Sequence, residues 1–204
     1  MSTFTINFTN NTNIAGDFCI FQRNPDHMNP NIFPLAWRAQ AAAPHAMVPI
    51  SWNTDLYFFW AKTGPLQPGI MFNAGQAFPT DLTRANMITL TKRDGNYAFV
   101  DQRDWHQQGV LNVTADATMA HQQASIGYGM SGASAFAVQA QPNMSFVFAP
   151  RAEYWVTFGD IPQGQVLDPE ILTNVAKVEF PHGIFSMNVT LNEDHTWTIK
   201  QGMD

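Results

Sequence analysis

The sequence predicts an all-β protein, an antiparallel β-sandwich or a barrel-like relative, with very little helix. Three observations carry that expectation. Apolar and polar residues alternate with a period of two along most of the chain. Asn, Gly, Pro and Asp break the alternation every few positions, as turns between short strands do. No segment keeps a helical period long enough to cover a sheet.

In Thr3-Phe4-Thr5-Ile6-Asn7-Phe8, the residues Phe4, Ile6 and Phe8 share one face and Thr5 and Asn7 the other, the pattern of a half-buried strand. Asn10-Asn11-Thr12-Asn13 supplies turn chemistry and the strand pattern resumes over 18–22, so a hairpin-like opening is expected. Strands are expected next at 47–52, 56–60 and 70–72. Segments 87–92 and 97–100 flank Arg93-Asp94-Gly95-Asn96, a hairpin signal because Asp94 and Gly95 both tolerate positive φ. Further strands are expected at 110–114, 145–148, 154–158 and 175–180. Segments 187–191 and 196–200 close the chain as an antiparallel pair. Helix is expected only over Ala-rich 35–43, ending at Pro44, and in one turn over 169–173, with Asp168 as N-cap and Pro169 in first position.

The 204 residues suffice for a single β domain spanning 1–204, with a soft subdivision near Gln108 where the strand pattern restarts. Charged residues are 13% of the chain, against about 25% in an average domain. Weak mutual repulsion favours self-association into a homo-oligomer or ordered array, with open edges expected at 3–8 or 196–200. The net charge of −6 is spread thinly and no run of Lys or Arg tracks a phosphate backbone, so nucleic acid is not an expected partner. No apolar run reaches the roughly 20 residues of a transmembrane segment. The opening residues lack a basic leader and apolar core, so a cytoplasmic location, or export without a cleaved signal peptide, is expected. Cys19, the lone cysteine, sits among Phe18, Ile20 and Phe21 and reads as a buried hydrophobe.

Two catalytic patterns touch the stretch 125–140, which otherwise reads as strand. Gly127-Tyr128-Gly129-Met130-Ser131-Gly132 has the spacing of a dinucleotide-binding loop, but no helix or βαβ unit surrounds it. Gly129-Met130-Ser131-Gly132-Ala133 falls one residue short of a nucleophile elbow. With Asp168 and His195 following in hydrolase order, Ser131, Asp168 and His195 form a formal triad that requires convergence in a cleft. The parallel sheet that an elbow needs is missing from the pattern, so no catalytic residue is assigned. The six histidines show no i, i+4 pairing. Asp104 and His106 share a strand face, yet no third ligand is nominated, so neither metal nor cofactor is expected.

Aromatic residues are the other candidate working parts. Trp60 and Trp155 lie in apolar strands and are expected to pack inside. Trp105 sits in polar 102–108, so Trp105 with Asp104 and His106 is the candidate ligand site, of a kind that suits a sugar: ring faces for pyranose, polar groups for hydroxyls.

Asn11, Gly16, Phe18-Cys19, Phe21-Gln22, Leu35-Ala36-Trp37, Gly129-Met130-Ser131-Gly132-Ala133, Gly164-Gln165-Val166-Leu167-Asp168 and Thr196-Trp197-Thr198-Ile199 together resemble the RhiA-type family of rhizosphere-expressed bacterial proteins. The resemblance runs over nearly the whole chain. It implies a protein under cell-density (quorum-sensing) control in a root-associated bacterium, linked with plant interaction and without an established activity. It implies no site residues. The function expected is non-enzymatic binding or self-assembly in a host-associated bacterium. A lectin-like module, a serine hydrolase and an insecticidal or membrane-active β protein stand as alternatives.

Overall fold

A computed structural model describes residues 3–23, 31–151, 153–168, 170 and 172–202. Its described residues contain no helix. Seventeen strands form it: β1 (Phe4–Asn10), β2 (Gly16–Phe21), β3 (Ile32–Pro34), β4 (Arg38–Ala42), β5 (Met47–Trp52), β6 (Leu56–Ala61), β7 (Ala74–Thr80), β8 (Met87–Arg93), β9 (Asn96–Arg103), β10 (Leu111–Ala115), β11 (Ser125–Met130), β12 (Ala133–Gln139), β13 (Met144–Phe148), β14 (Tyr154–Gly159), β15 (Ala176–Val178), β16 (Ser186–Leu191) and β17 (Trp197–Gln201). The all-β expectation holds. The strands make four open sheets in the orders β17-β16-β1-β5, β15-β14-β2-β4, β3-β12-β11-β6-β7 and β13-β10-β8-β9. Pairing is antiparallel except for β1 with β16 and β8 with β10.

The sheets stack face to face. Phe8 of β1 stacks on Phe18 of β2 at 4.4 Å, joining the first two sheets. Tyr128 of β11 meets Phe148 of β13 at 5.0 Å and Trp60 of β6 meets Tyr97 of β9 at 5.6 Å, joining the other two. Alternation sets which side chains enter: Ile6 and Phe8 of β1, Ile88 and Leu90 of β8, and Val189 and Leu191 of β16 are all fully buried. Two satellite clusters back this core, one around Leu35, Phe59, Phe72 and Val166, the other around Cys19, Phe21, Ala36 and Leu167. Burial, reinforced by the Asp17 carboxylate, pushes the Cys19 thiol far up from its ordinary pKa, so it is an inert core residue.

Two of the three expected hairpins form. Asp94 and Gly95 take φ of 50° and 81° between paired Arg93 and Asn96, and β16 pairs with β17 from Leu191↔Trp197 outward. The expected opening hairpin does not form, because β1 and β2 belong to different sheets. The turn residues build a corner in its place. Buried Asn10 accepts from Thr12 N–H at 3.0 Å and Thr12 Oγ1 at 2.7 Å, and donates to the carbonyls of Ile14 at 2.8 Å and Ala43 at 3.1 Å. Nor is 3–8 an edge: β16 returns from the far end of the chain to flank β1, a long-range pairing that no local pattern signals. The expected edge at 196–200 is present as β17.

The helix expected over 35–43 is strand β4, its alanines pairing with 16–20 of β2; tertiary pairing overrides alanine's helix propensity. Only an isolated bridge, Met71↔Gln165, stands at 70–72. The stretch 125–140 is two strands, not one. Pro169 and Ile171 of the expected helical turn lie outside the described residues. Asp168 does accept the Glu170 N–H on Oδ1 at 3.0 Å, as an N-cap would. No helix among the described residues is long and apolar enough to cross a membrane.

Candidate functional site

Ser131 and Gly132 are the two central residues of the β11–β12 hairpin turn, both at positive φ, 53° and 76°. Ser131 Oγ accepts the Asn53 N–H at 3.2 Å, its own N–H donates to Asp55 at 2.8 Å, and its carbonyl accepts the Arg38 guanidinium. A strand follows, not a helix, so neither a dinucleotide loop nor an elbow is built. The neighbouring glycine pattern has a packing cause: a Cβ on Gly129 would lie 2.0 Å from the Ala133 carbonyl oxygen.

The formal triad does not assemble. Ser131 lies beside Asn53, one residue past Trp52, which pairs with Phe4 at the start of β1. His195 lies beyond Leu191, which pairs with Asn10 at the other end of β1. Strand rise of roughly 3.3 Å per residue puts about 20 Å between those ends. No hydrogen bond links any two of Ser131, Asp168 and His195 among the described residues.

Asp104, Trp105 and His106 follow β9 in a loop that buried Asn86 holds in place. Asn86 accepts the Trp105 N–H at 2.8 Å and donates to the carbonyls of Gln107 and Val110. Asp104 Oδ1 accepts the Ala85 N–H at 2.7 Å. The rings of Trp105 and His106 meet edge to face at 4.9 Å, Trp105 half-buried and His106 exposed. No group of three or more metal-ligating side chains gathers here or elsewhere among the described residues.

A cleft of about 390 Å³ lies between the start of β1, the β5–β6 connection and the β14–β15 pair, lined by Phe4, Thr54, Tyr154, Val178 and Phe180 with Glu153, Lys177 and Glu179 at its mouth. The register Tyr154↔Val178 sets its inner wall, and the exposed flanking residues Glu153, Lys177 and Glu179 border it. Phe180 stands edge-on to Phe4 at 5.1 Å and to Tyr154 at 5.7 Å. Behind them Trp52 packs 6.1 Å from Phe4, 5.0 Å from Tyr154 and 5.8 Å from Phe180. Trp52 Nε1 and Tyr154 Oη are buried without a well-aligned hydrogen bond among the described residues. Burial raises the Tyr154 phenol pKa, and the adjacent Trp52 indole offsets part of that rise. At the mouth, Lys177 Nζ lies 3.0 Å from Glu179 and 3.7 Å from Glu153. The hydrogen bond that Lys177 donates to Glu179, with Glu153 adding, holds the ammonium above its ordinary pKa, so the mouth carries two acceptor groups around one donor.

The residues of this cleft come from four separated stretches, none of them flagged by a motif. A family model, RhiA, matches residues 1–202. Protein RhiA of Rhizobium leguminosarum bv. viciae is 28% identical over 188 residues, covering 89% of this chain and 79% of that protein. No solved structure matches significantly.

Proposed function

The chain belongs to the RhiA family, and we propose that it acts by non-covalent binding, not catalysis, taking a neutral polyhydroxylated ligand of saccharide type in the Phe4–Tyr154–Phe180 cleft. The observation that carries this is the pairing of an aromatic wall with a carboxylate–ammonium–carboxylate rim. Ring faces and edges suit the C–H patches of a pyranose, while Glu153, Glu179 and Lys177 offer acceptors and donors to vicinal hydroxyls. The volume lies within the range of small-molecule sites, about 300–1,000 Å³. The root-associated setting that the family resemblance implies would supply surface glycans as the ligand class.

Glycan-array screening followed by calorimetry tests this. A hit should weaken about tenfold or more with Glu179→Ala, as loss of a charge-assisted hydrogen bond worth about 1.5–3 kcal/mol requires, and should also weaken with Phe180→Ala, which removes part of the aromatic wall. Affinity lost with Trp105→Ala and kept in those variants would move the site to Asp104, Trp105 and His106. A blank array overturns the saccharide assignment.

Self-association is the second part of this reading. It is favoured by the 13% charged content and by four sheets that end in open edges.

A further inference from the structure

Among the described residues, four open sheets leave eight edge strands: β17 and β5, β15 and β4, β3 and β7, β13 and β9. An open edge is a row of unpaired main-chain donors and acceptors, and proteins guard edges with proline or charge. Here the guarding is uneven. Proline stands at Pro49 in β5, Pro79 in β7 and Pro34 in β3. Charge stands at Lys200 in β17, Lys177 in β15, Arg38 in β4, and Asp101 and Arg103 in β9. β13, Met144-Ser145-Phe146-Val147-Phe148, has neither.

That same strand exposes apolar surface. Met144 is 44% exposed and Val147 45% exposed, two of the few large hydrophobic residues left open to solvent. On its other side β13 pairs with β10 over its whole length, from Leu111↔Phe148 to Ala115↔Met144, so its register and twist are fixed. No main-chain hydrogen bond from elsewhere in the described residues reaches it.

Resting on the self-association reading above, we propose that β13 is the contact, pairing antiparallel with β13 of a second copy of this chain about a two-fold axis at Phe146. The occupant follows from the edges themselves. Every other edge of a second copy would bring proline or a charge against β13, whereas β13 is complementary to itself. In this register Phe146 faces Phe146 of the second copy, Met144 faces Phe148, and Ser145 faces Val147. Met144 and Val147 each gain a cross-strand neighbour and no charges oppose. The four-stranded sheet becomes a continuous sheet of eight. Five residues at roughly 3.4 Å each give a contact only about 17 Å long. The dimer is therefore weak and concentration-dependent, at the small end of specific interfaces.

Sedimentation velocity of the full chain across a wide concentration range tests the contact. The wild type should pass from monomer to dimer, and Val147→Lys, an exposed position, should raise the dissociation constant at least roughly tenfold with the thermal unfolding curve unchanged. Met47→Lys on edge β5 is the control and should leave the dimer intact. A strictly monomeric wild type defeats self-association itself. A dimer that Val147→Lys leaves untouched keeps self-association and overturns the β13 assignment. Should Val147→Lys disturb folding, Met144→Lys on the same edge gives the same test.

Discussion

Asn10→Ala should cost this protein about 3 kcal/mol, because one buried amide holds the corner that carries the chain from the first sheet to the second. Asn10 is fully buried and makes four hydrogen bonds, two to Thr12 and one each to the carbonyls of Ile14 and Ala43. The four do not weigh equally. The Thr12 N–H is buried and has no other acceptor among the described residues, so stranding it costs about 1–3 kcal/mol. The Thr12 hydroxyl retains Ile14 as an acceptor at 3.3 Å. Ile14 and Ala43 are exposed, so water can reach their carbonyls and each lost bond costs about 0.5–1 kcal/mol. In a chain of this size about 3 kcal/mol lowers the melting temperature by roughly 6–12 °C. Urea denaturation followed by tryptophan fluorescence should show a lower midpoint at unchanged slope. The same substitution in a Thr12→Val background should cost less, since the two side chains share one network. A loss below about 1 kcal/mol would mean that the corner is held by packing, and that the amide network adds nothing.

Cys19, fully buried with its thiol pKa raised by burial and by Asp17, should resist alkylation in the native protein at pH 8 and react only on unfolding; native-state labelling at the rate of a free thiol would refute its placement. Gly129→Ala should cost about 3 kcal/mol or more, because the added methyl meets the Ala133 carbonyl, which is main chain and cannot swing aside; a change under about 1 kcal/mol by denaturation would contradict the strand approach. Ser131→Gly should be neutral within about 1 kcal/mol, since the lost acceptor for Asn53 is offset by easier positive φ, and any hydrolytic turnover found in the wild type should survive it. Loss of turnover with the fold intact would return Ser131 to catalysis.

What the sequence made legible was whatever a few neighbouring residues decide. The Asp94-Gly95 hairpin formed as expected because its two positive φ values are a local demand. The alternation of Ile6 and Phe8, and of Val189 and Leu191, reported their burial because a strand with one face in a core can be written only one way. The same local evidence failed where partners lay far away. Asn10 to Asn13 signalled a reversal, but a hairpin and a sheet-to-sheet corner use the same Asx chemistry. Which of them forms depends on β16 arriving beside β1 and β14 beside β2. Residues 38–42 were illegible for a related reason: alanine's helix preference is worth a few tenths of a kcal/mol per residue, less than one strand pairing gained.

The candidate cleft shows the same limit at the level of function. Phe4, Trp52, Tyr154 and Phe180 each look like ordinary strand aromatics, and Trp155, the more conspicuous neighbour of Tyr154, points the other way, to lie beneath the Arg23 guanidinium at 3.9 Å. Only the register Tyr154↔Val178 separates the wall of the cleft from its outer surface, and register is a property of two strands, not of either sequence. Edge protection follows the same logic. Met144 to Phe148 is no more apolar than many strands of this chain. Its lack of proline and charge acquires meaning only once the sheet order shows that nothing among the described residues pairs beyond it. A lysine at position 147 is therefore a change in composition that leaves every intramolecular contact of the core in place, and it acts on the one property, an unguarded edge, that exists only at the level of the assembled sheet.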